Sequence, residues 1–77
     1  MVKLNYETIF IETEHITLGQ FIKLAGIIDT GGQAKDFLTE TTILVNGAEE
    51  KRRGKKLYPE DVVQVDEGNS FVVARHP

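Results

Sequence analysis

The segment ITLGQFIKLAGIIDTGGQAKDFL, residues 16–38, decides the fold because it contains two consecutive helix-start signals. Thr17 and Gln20 have the spacing of a capping box, in which the N-cap side chain and the side chain three positions later each bond the other's backbone. Apolar residues then recur at the spacing of one helical face, and Gly26 is suited to end the helix. The predicted buried face consists of Leu18, Phe21, Ile22 and Ala25.

A second helix is predicted directly after the first, with a tight link through residues 26–29. Thr30 and Gln33 repeat the capping-box spacing. The apolar face of this helix consists of Ala34, Phe37 and Leu38. The two segments together predict a helical hairpin.

Short strands are predicted on both sides of the helix pair. Upstream, residues 6–12 are rich in aromatic and β-branched side chains, which favour a strand. Downstream, residues 43–45 form a second apolar run that leads into Asn46-Gly47. This dipeptide is the most typical two-residue hairpin turn, so a return strand is expected from about Ala48.

Two further strands complete the predicted sheet. A turn at residues 59–61 precedes the strand of Val62, Val63 and Val65, and a turn at residues 67–69 precedes residues 71–73. We therefore predict an α+β domain, with a two-helix hairpin packed on one face of a small, mostly antiparallel β-sheet.

Length and composition exclude several classes of protein. The 77 residues suffice for one domain, residues 1–77, and a domain of this size buries only roughly 60% of the surface that its unfolded chain exposes. The absence of cysteine excludes disulfides and thiolate chemistry. The first fifteen residues lack a long apolar run, so we expect neither a signal peptide nor a membrane span, and a cytoplasmic protein.

Catalytic motifs are not found. His15 and His76 have no metal-ligand spacing to another histidine or a carboxylate, and there is neither a nucleophile elbow nor a P-loop. Glu49-Glu50 and Glu60-Asp61 are interpreted as solvated turn charges. We therefore expect no enzyme, no cofactor, no metal and no small-molecule substrate.

Basic residues are concentrated in one segment although the formal net charge is −3. KRRGKK, residues 51–56, carries five cations, while the rest of the chain has four basic residues against twelve acidic ones. Screening limits charge effects to about 8–10 Å at cellular salt, so this local potential decides whether a polyanion binds. Arg52 and Arg53 offer planar donors suited to phosphate, and Gly54 allows a turn. The alternative is a solvated loop that protects a sheet edge.

The start of the second helix is a weaker candidate for the same surface. Gly31-Gly32 leaves room for a close approach to backbone N–H groups, and Lys35 follows within one turn. Lys23 joins this surface if the helical hairpin folds back. Tyr58, beside the basic segment, is the one aromatic residue considered for stacking on a base.

The order of these elements resembles the S-four-type RNA-binding domain, also called the αL motif, over Leu18–Val65. The family's Val-Asn-Gly hairpin is intact at residues 45–47, and its Gly-Asp-x-Val turn appears as residues 60–63 with Glu60 in place of glycine. The Ser-Arg that usually opens the second helix is replaced by Gly32-Gln33, followed by Ala34-Lys35.

Three phrases look more specifically like the stand-alone bacterial YaaA-type proteins: residues 16–21, residues 31–35 and residues 52–57. The resemblance implies a motif core at residues 17–66 with an extra N-terminal strand, and an RNA surface made of the second-helix start and the loop after the hairpin. The implied contacts are Lys35, Arg52, Arg53, Lys55 and Lys56, with Gly32 and Gln33 as backbone or polar contacts; charge alone adds Lys51 and Lys23.

The predicted function is non-catalytic binding of structured RNA. The resemblance implies ribosomal RNA, the ribosome or its assembly intermediates more than a transfer RNA. An alternative is a protein-interaction module whose basic loop docks an acidic partner, and a DNA contact is a third possibility.

Overall fold

The computed structural model describes residues 6–66 and 69–76. Within these residues the chain forms two α-helices, one 3-10 turn and seven β-strands. The helices are α1 (Leu18–Leu24) and α2 (Ala34–Glu40), with the 3-10 turn at Gly31–Gln33. The strands are β1 (Tyr6–Ile11), β2 (Ile16–Thr17), β3 (Ile43–Val45), β4 (Ala48–Glu49), β5 (Lys56–Leu57), β6 (Val62–Val65) and β7 (Asn69–Arg75).

Five strands form the main sheet in the order β1-β7-β6-β3-β4. All its pairs are antiparallel except β1 with β7, which run parallel with Ile9 opposite Val73. The predicted α+β class, with two helices and a mostly antiparallel sheet, is confirmed. The predicted turn at residues 67–69 lies partly outside the described residues.

Buried side chains of the helices and the sheet form one hydrophobic core. Alternate residues of the strands are buried, as period-two side-chain geometry requires, and Val45, Val63 and Phe71 are direct cross-strand neighbours. The ring of Phe21 on α1 meets the ring of Phe71 edge-on, with centroids 5.8 Å apart. The helix and the sheet are therefore joined by a specific aromatic contact as well as by general burial.

Helix α1 begins and ends as predicted. The backbone N–H of Gln20 donates to the hydroxyl of Thr17 at 3.3 Å, and the backbone N–H of Thr17 donates to the side-chain oxygen of Gln20 at 3.1 Å. At the other end Gly26 has φ +79°, and the N–H of Ile27 donates to the carbonyl of Ile22 at 3.0 Å. This is the Schellman arrangement, which satisfies carbonyls that the helix leaves free.

The start of the second helix differs from the prediction. Residues 31–33 form a 3-10 turn, α2 begins at Ala34, and no side chain caps it. Only half of the predicted capping box exists: the Gln33 side chain accepts from the N–H of Thr30 at 3.1 Å and also from the N–H of Asp29 at 2.8 Å. The N–H of Gln33 donates to the backbone carbonyl of Thr30 instead of its hydroxyl, which tightens the turn. The apolar face of α2 is as predicted, with Ala34 and Leu38 buried.

The predicted hairpin at Asn46-Gly47 is confirmed. Asn46 has φ +52° and Gly47 has φ +87°, the two left-handed residues that a type I′ turn requires. The strands β3 and β4 that flank this turn pair antiparallel.

A separate two-stranded pair was not predicted. Strand β2 pairs antiparallel with β5, with Ile16 opposite Leu57 and Thr17 opposite Lys56. The sequence analysis placed the basic residues in the loop after the hairpin, and Lys56 is a correction, because it lies in a strand that connects this segment to the start of α1.

Candidate nucleic-acid interface

The basic loop, residues 51–56, is attached to the first turn of α1 by main-chain hydrogen bonds. The N–H of Leu18 donates to the carbonyl of Lys55, and the N–H of Gly19 donates to the carbonyl of Arg53, both at 2.8 Å. A turn at Arg53-Gly54 is closed by the N–H of Lys55 donating to the carbonyl of Arg52 at 3.2 Å. The loop is therefore fixed at several points along its length.

Gly19 is part of this attachment, and the sequence interpretation did not identify it. A Cβ atom at Gly19 would lie 3.3 Å from both the Cβ and the carbonyl oxygen of Arg53, closer than side chains normally pack. The available signal was a glycine inside a helix, which costs about 1 kcal/mol relative to alanine and therefore calls for a packing reason.

Glu50 holds the beginning of the loop. Its carboxylate accepts from the backbone N–H groups of Lys51 and Arg52, at 3.2 and 3.1 Å, and from Nε and Nη2 of Arg52, at 2.9 and 3.2 Å. The side-chain hydrogen bond from Arg52, followed by the backbone one from the same residue, lowers the pKa of Glu50 from 4.5 to about 2. The interpretation of Glu50 as a solvated turn charge is wrong, because its side chain is only 13% exposed.

The first two cations of the loop are thus paired within the molecule. Arg52 donates two bonds to Glu50, although its own side chain is 74% exposed. Lys51 lies 3.7 Å from the Glu49 carboxylate and donates to the carbonyl of Thr41 at 3.3 Å. Across residues 6–66 and 69–76 no such ion pair involves the remaining cations predicted for the site, which are Lys23, Lys35, Arg53, Lys55 and Lys56.

The loop's cations lie on two sides of it. Arg53 and Gly54 line a cavity of about 360 Å³ together with Lys23 of α1 and Ala34 at the start of α2. Lys35, the residue after Ala34, is exposed. The structure therefore brings Lys23 and Arg53 to one cavity beside the second-helix start, and that they bind RNA together with Lys35 stays a prediction.

Lys55 and Lys56 line a different depression, of about 310 Å³, which also includes Tyr58 and the hairpin residues Asn46 and Ala48. Tyr58 is half-exposed, and its ring lies 5.7 Å from that of His15. The expectation that charges on both sides of Gly54 converge on one strand of phosphates stays a prediction.

Gly32 and Gln33 have different surroundings from each other. Gly32 is exposed in the 3-10 turn, where an added Cβ would meet only the Thr30 hydroxyl, at 3.9 Å. The side-chain oxygen of Gln33 is occupied by the N–H groups of Asp29 and Thr30, so a contact from Gln33 would come from its amide nitrogen.

The described part of the chain has neither a metal-binding cluster nor a membrane-spanning helix. No group of three or more His, Cys, Asp or Glu side chains there is placed to hold a metal ion. Neither of its two helices is long and apolar enough to cross a membrane.

A family model described as the S4 domain matches residues 9–74. The chain belongs to the S4 domain family. The predicted family is confirmed, and the match extends on both sides of the segment that carried the resemblance. The chain is similar to the "Probable ribosome maturation protein RlbA" of Bacillus subtilis (strain 168), with 55% identity over 65 residues that cover 84% of this chain and 92% of the relative.

One departure of this S4 domain from the family pattern has a visible consequence. Glu60, which replaces the glycine of the Gly-Asp-x-Val turn, has φ +81°. This left-handed conformation is the one that glycine adopts without steric cost. The turn geometry is therefore kept although the residue is changed.

Proposed function

We propose that this S4 domain is a non-catalytic RNA-binding protein that acts on ribosomal RNA or a ribosome assembly intermediate in the cytoplasm. The observation that carries the proposal is the attachment of the basic loop to α1, which holds Arg53 next to Lys23 and the start of α2. Both the family and the name of the similar Bacillus subtilis protein support it. The proposed binding unit is the single domain, with its motif core at residues 17–66.

The proposed mechanism is electrostatic, with the spacing of the charges set by the fold. Lysine and arginine side chains displace counterions condensed on RNA phosphates, and this displacement makes affinity dependent on salt. Because the loop is fixed before binding, little conformational entropy is lost when RNA docks. RNA shape and 2′-hydroxyl groups then supply the selectivity.

The cations of the proposed surface have unequal roles. Arg53, Lys55, Lys56, Lys35 and Lys23 are proposed as phosphate contacts. Arg52 is proposed to serve twice, because its exposed guanidinium has donors left after two bonds to Glu50. Lys51 is proposed as the weakest contributor, since it is paired with Glu49.

A salt titration with purified ribosomal RNA tests the proposal. If about five phosphates are engaged, the slope of log K against log salt should be roughly −3.5 to −4.5. Changing Arg53, Lys55 and Lys56 together to glutamine should reduce its magnitude by roughly 2 to 3. The matched control Lys51→Gln should change it much less. A salt-independent affinity, or an unchanged slope in the triple variant, would refute the proposal.

The alternative partners give different results. Nuclease treatment should abolish co-purification of ribosomal particles if RNA is the partner, and should leave it intact if the loop docks an acidic protein. Competition between matched RNA and DNA duplexes separates the third possibility, because only RNA offers the 2′-hydroxyl.

A further inference from the structure

We propose that the cavity between α1 and the basic loop, called here the α1–loop cavity, receives one unpaired nucleotide of the bound RNA. Its walls include Gln20, Lys23, Ala34, Arg53 and Gly54. The proposal rests on the proposed RNA-binding function and adds a preference for RNA with an unstacked base. Its support comes from the charge, the hydrogen-bond donors and the size of the cavity.

Charge favours an anionic ligand in this cavity. Lys23 and Arg53 lie on its walls, and no carboxylate is among its lining residues. The depression on the other side of the loop contrasts with it, because Glu50 and Asp61 line that one together with Lys55 and Lys56. A phosphate is therefore bound more favourably at Lys23 and Arg53, and the planar guanidinium of Arg53 also offers a stacking surface for a base.

Gln20 supplies an oriented donor. Its side-chain oxygen accepts from both the N–H and the hydroxyl of Thr17, at 3.1 and 3.0 Å. Because both bonds are accepted by the side-chain oxygen, that oxygen faces Thr17. The amide nitrogen is then the atom that can donate to a ligand. Such a fixed donor suits the edge of an unpaired base, whose hydrogen-bonding groups are not used by a partner strand.

The cavity also has a suitable size and floor. Its volume of about 360 Å³ lies near the lower end of the range for small-molecule pockets, which begins at about 300 Å³. Gly19, Ala34 and Gly54 contribute little side-chain bulk, so a base can approach the backbone closely. A paired base cannot enter, since it is stacked and bonded within its helix, whereas bases of loops and bulges are free to turn outward.

Two variants should impair the cavity without disturbing the fold, one by adding bulk and the other by changing its charge. An added Cβ at Gly54 has nothing within 4 Å, and Gly54 is not left-handed, so Gly54→Leu places a side chain at the cavity without backbone strain. Gln20→Glu keeps the acceptor that the capping box uses, and it replaces the amide donor by a carboxylate beside Lys23 and Arg53. The matched control is Gln64→Glu on β6, which makes the same chemical change away from the cavity.

Two-dimensional NMR with uridine 5′-monophosphate tests the site directly. We expect the signals of Gly19, Gly54 and the Gln20 side-chain amide to shift in the wild-type protein and in Gln64→Glu. The apparent affinity should fall by about tenfold or more in Gly54→Leu and Gln20→Glu. No shift at these positions in the wild type, or equal shifts in all four proteins, would overturn the inference. Inorganic phosphate should give weaker shifts; if it matches the nucleotide, the cavity is an anion site only and the inference is wrong.

A second measurement separates this inference from the proposed function. A hairpin RNA with one bulged nucleotide should bind more tightly than the fully paired hairpin, and both cavity variants should lose the difference. Salt-dependent binding of both hairpins with equal affinity would overturn the nucleotide site and leave RNA binding standing. If neither hairpin bound, that would count against RNA binding itself, while the nucleotide titration would still decide the cavity.

Discussion

The side-chain amide of Asn46 donates to the carboxylate of Asp61 at 3.0 Å, which ties the β3–β4 hairpin to the turn before β6. The other groups of both side chains are also used: the Asn46 oxygen accepts from the N–H of Val62 at 2.8 Å, and the second Asp61 oxygen accepts from the N–H of Tyr58 at 2.7 Å. The earlier interpretation of Asp61 as a solvated turn charge is therefore wrong. The family's hairpin asparagine and turn aspartate act here as one structural unit.

Exchanging the two residues tests this unit. Asn46→Asp should destabilise the protein by about 1 to 3 kcal/mol, because a carboxylate then faces Asp61 in place of an amide donor. Asp61→Asn should also destabilise it, because the new amide has only one oxygen, so its NH2 group faces either the N–H of Tyr58 or the NH2 group of Asn46. The double variant restores a bond in the reverse direction, so its loss should be clearly smaller than the sum of the single losses. Urea unfolding of the four proteins gives the coupling energy, and additive losses would contradict the pairing.

The ends of α1 and the β3–β4 hairpin were predicted well from the sequence, because their signals are local. The Thr17–Gln20 capping box, Gly26 and Asn46-Gly47 each involve residues within a few positions of one another, and each is observed as predicted. The parallel pairing of Ile9 with Val73 joins opposite ends of the chain, and no local pattern specifies it. The pairing of β2 with β5 was missed for the same reason, together with the contact of Gly19 with Arg53 that depends on it.

The sequence indicated the residue types of the candidate site better than it indicated how they are arranged. The charge run is visible in the sequence, whereas the place of Lys23 beside it depends on how the helical hairpin folds back, which the sequence does not show. The pairing of Arg52 with Glu50 was not foreseen, because it depends on the partial burial of Glu50. The sequence interpretation foresaw no partner within the molecule for any of the loop's five cations, whereas Lys51 and Arg52 are paired.

The pH dependence of stability should reveal the pairing of Glu50 with Arg52. Since the folded-state pKa of Glu50 is lowered from 4.5 to about 2, the carboxylate contributes stability that is present above about pH 4.5. That contribution is lost as the pH falls from 4.5 toward 2. Glu50→Gln should therefore cost about 1 kcal/mol at pH 7, and the deficit should shrink across this window.

The matched control for this measurement is Glu49→Gln. Its partner Lys51 is about half-exposed, as is Glu49 itself, so the loss at pH 7 should be much smaller than for Glu50. Urea midpoints of the three proteins between pH 2.5 and 7 are the measurement. A deficit of Glu50→Gln that stays constant over this range would show that the ionised carboxylate is not its source.

Glu60 should be a site where glycine stabilises the fold. A non-glycine residue at φ +81° carries a left-handed cost of about 1 to 2 kcal/mol, while glycine adds a smaller entropic cost of its own. Glu60→Gly should therefore raise stability by up to about 1 kcal/mol, which corresponds to a rise in Tm of up to roughly 4 to 8 °C for a domain of this size. Calorimetry checks the sign. Asp66→Gly, at φ +54°, should gain less because aspartate tolerates this conformation, and a lower Tm for Glu60→Gly would disprove the strain.

Gly19→Ala should disturb the basic loop although alanine is the better helix former. Helix propensity alone would favour alanine by about 1 kcal/mol. The added Cβ would, however, lie 3.3 Å from the Cβ and the carbonyl oxygen of Arg53, and the N–H of Gly19 holds that carbonyl in place at 2.8 Å. We therefore expect no gain in stability and a weaker, less salt-dependent affinity for ribosomal RNA, because Arg53 must move. The control Gly32→Ala meets only an ordinary contact at 3.9 Å and should keep its stability. A Gly19→Ala protein that is more stable and binds RNA unchanged would mean that the contact with Arg53 does not position the loop.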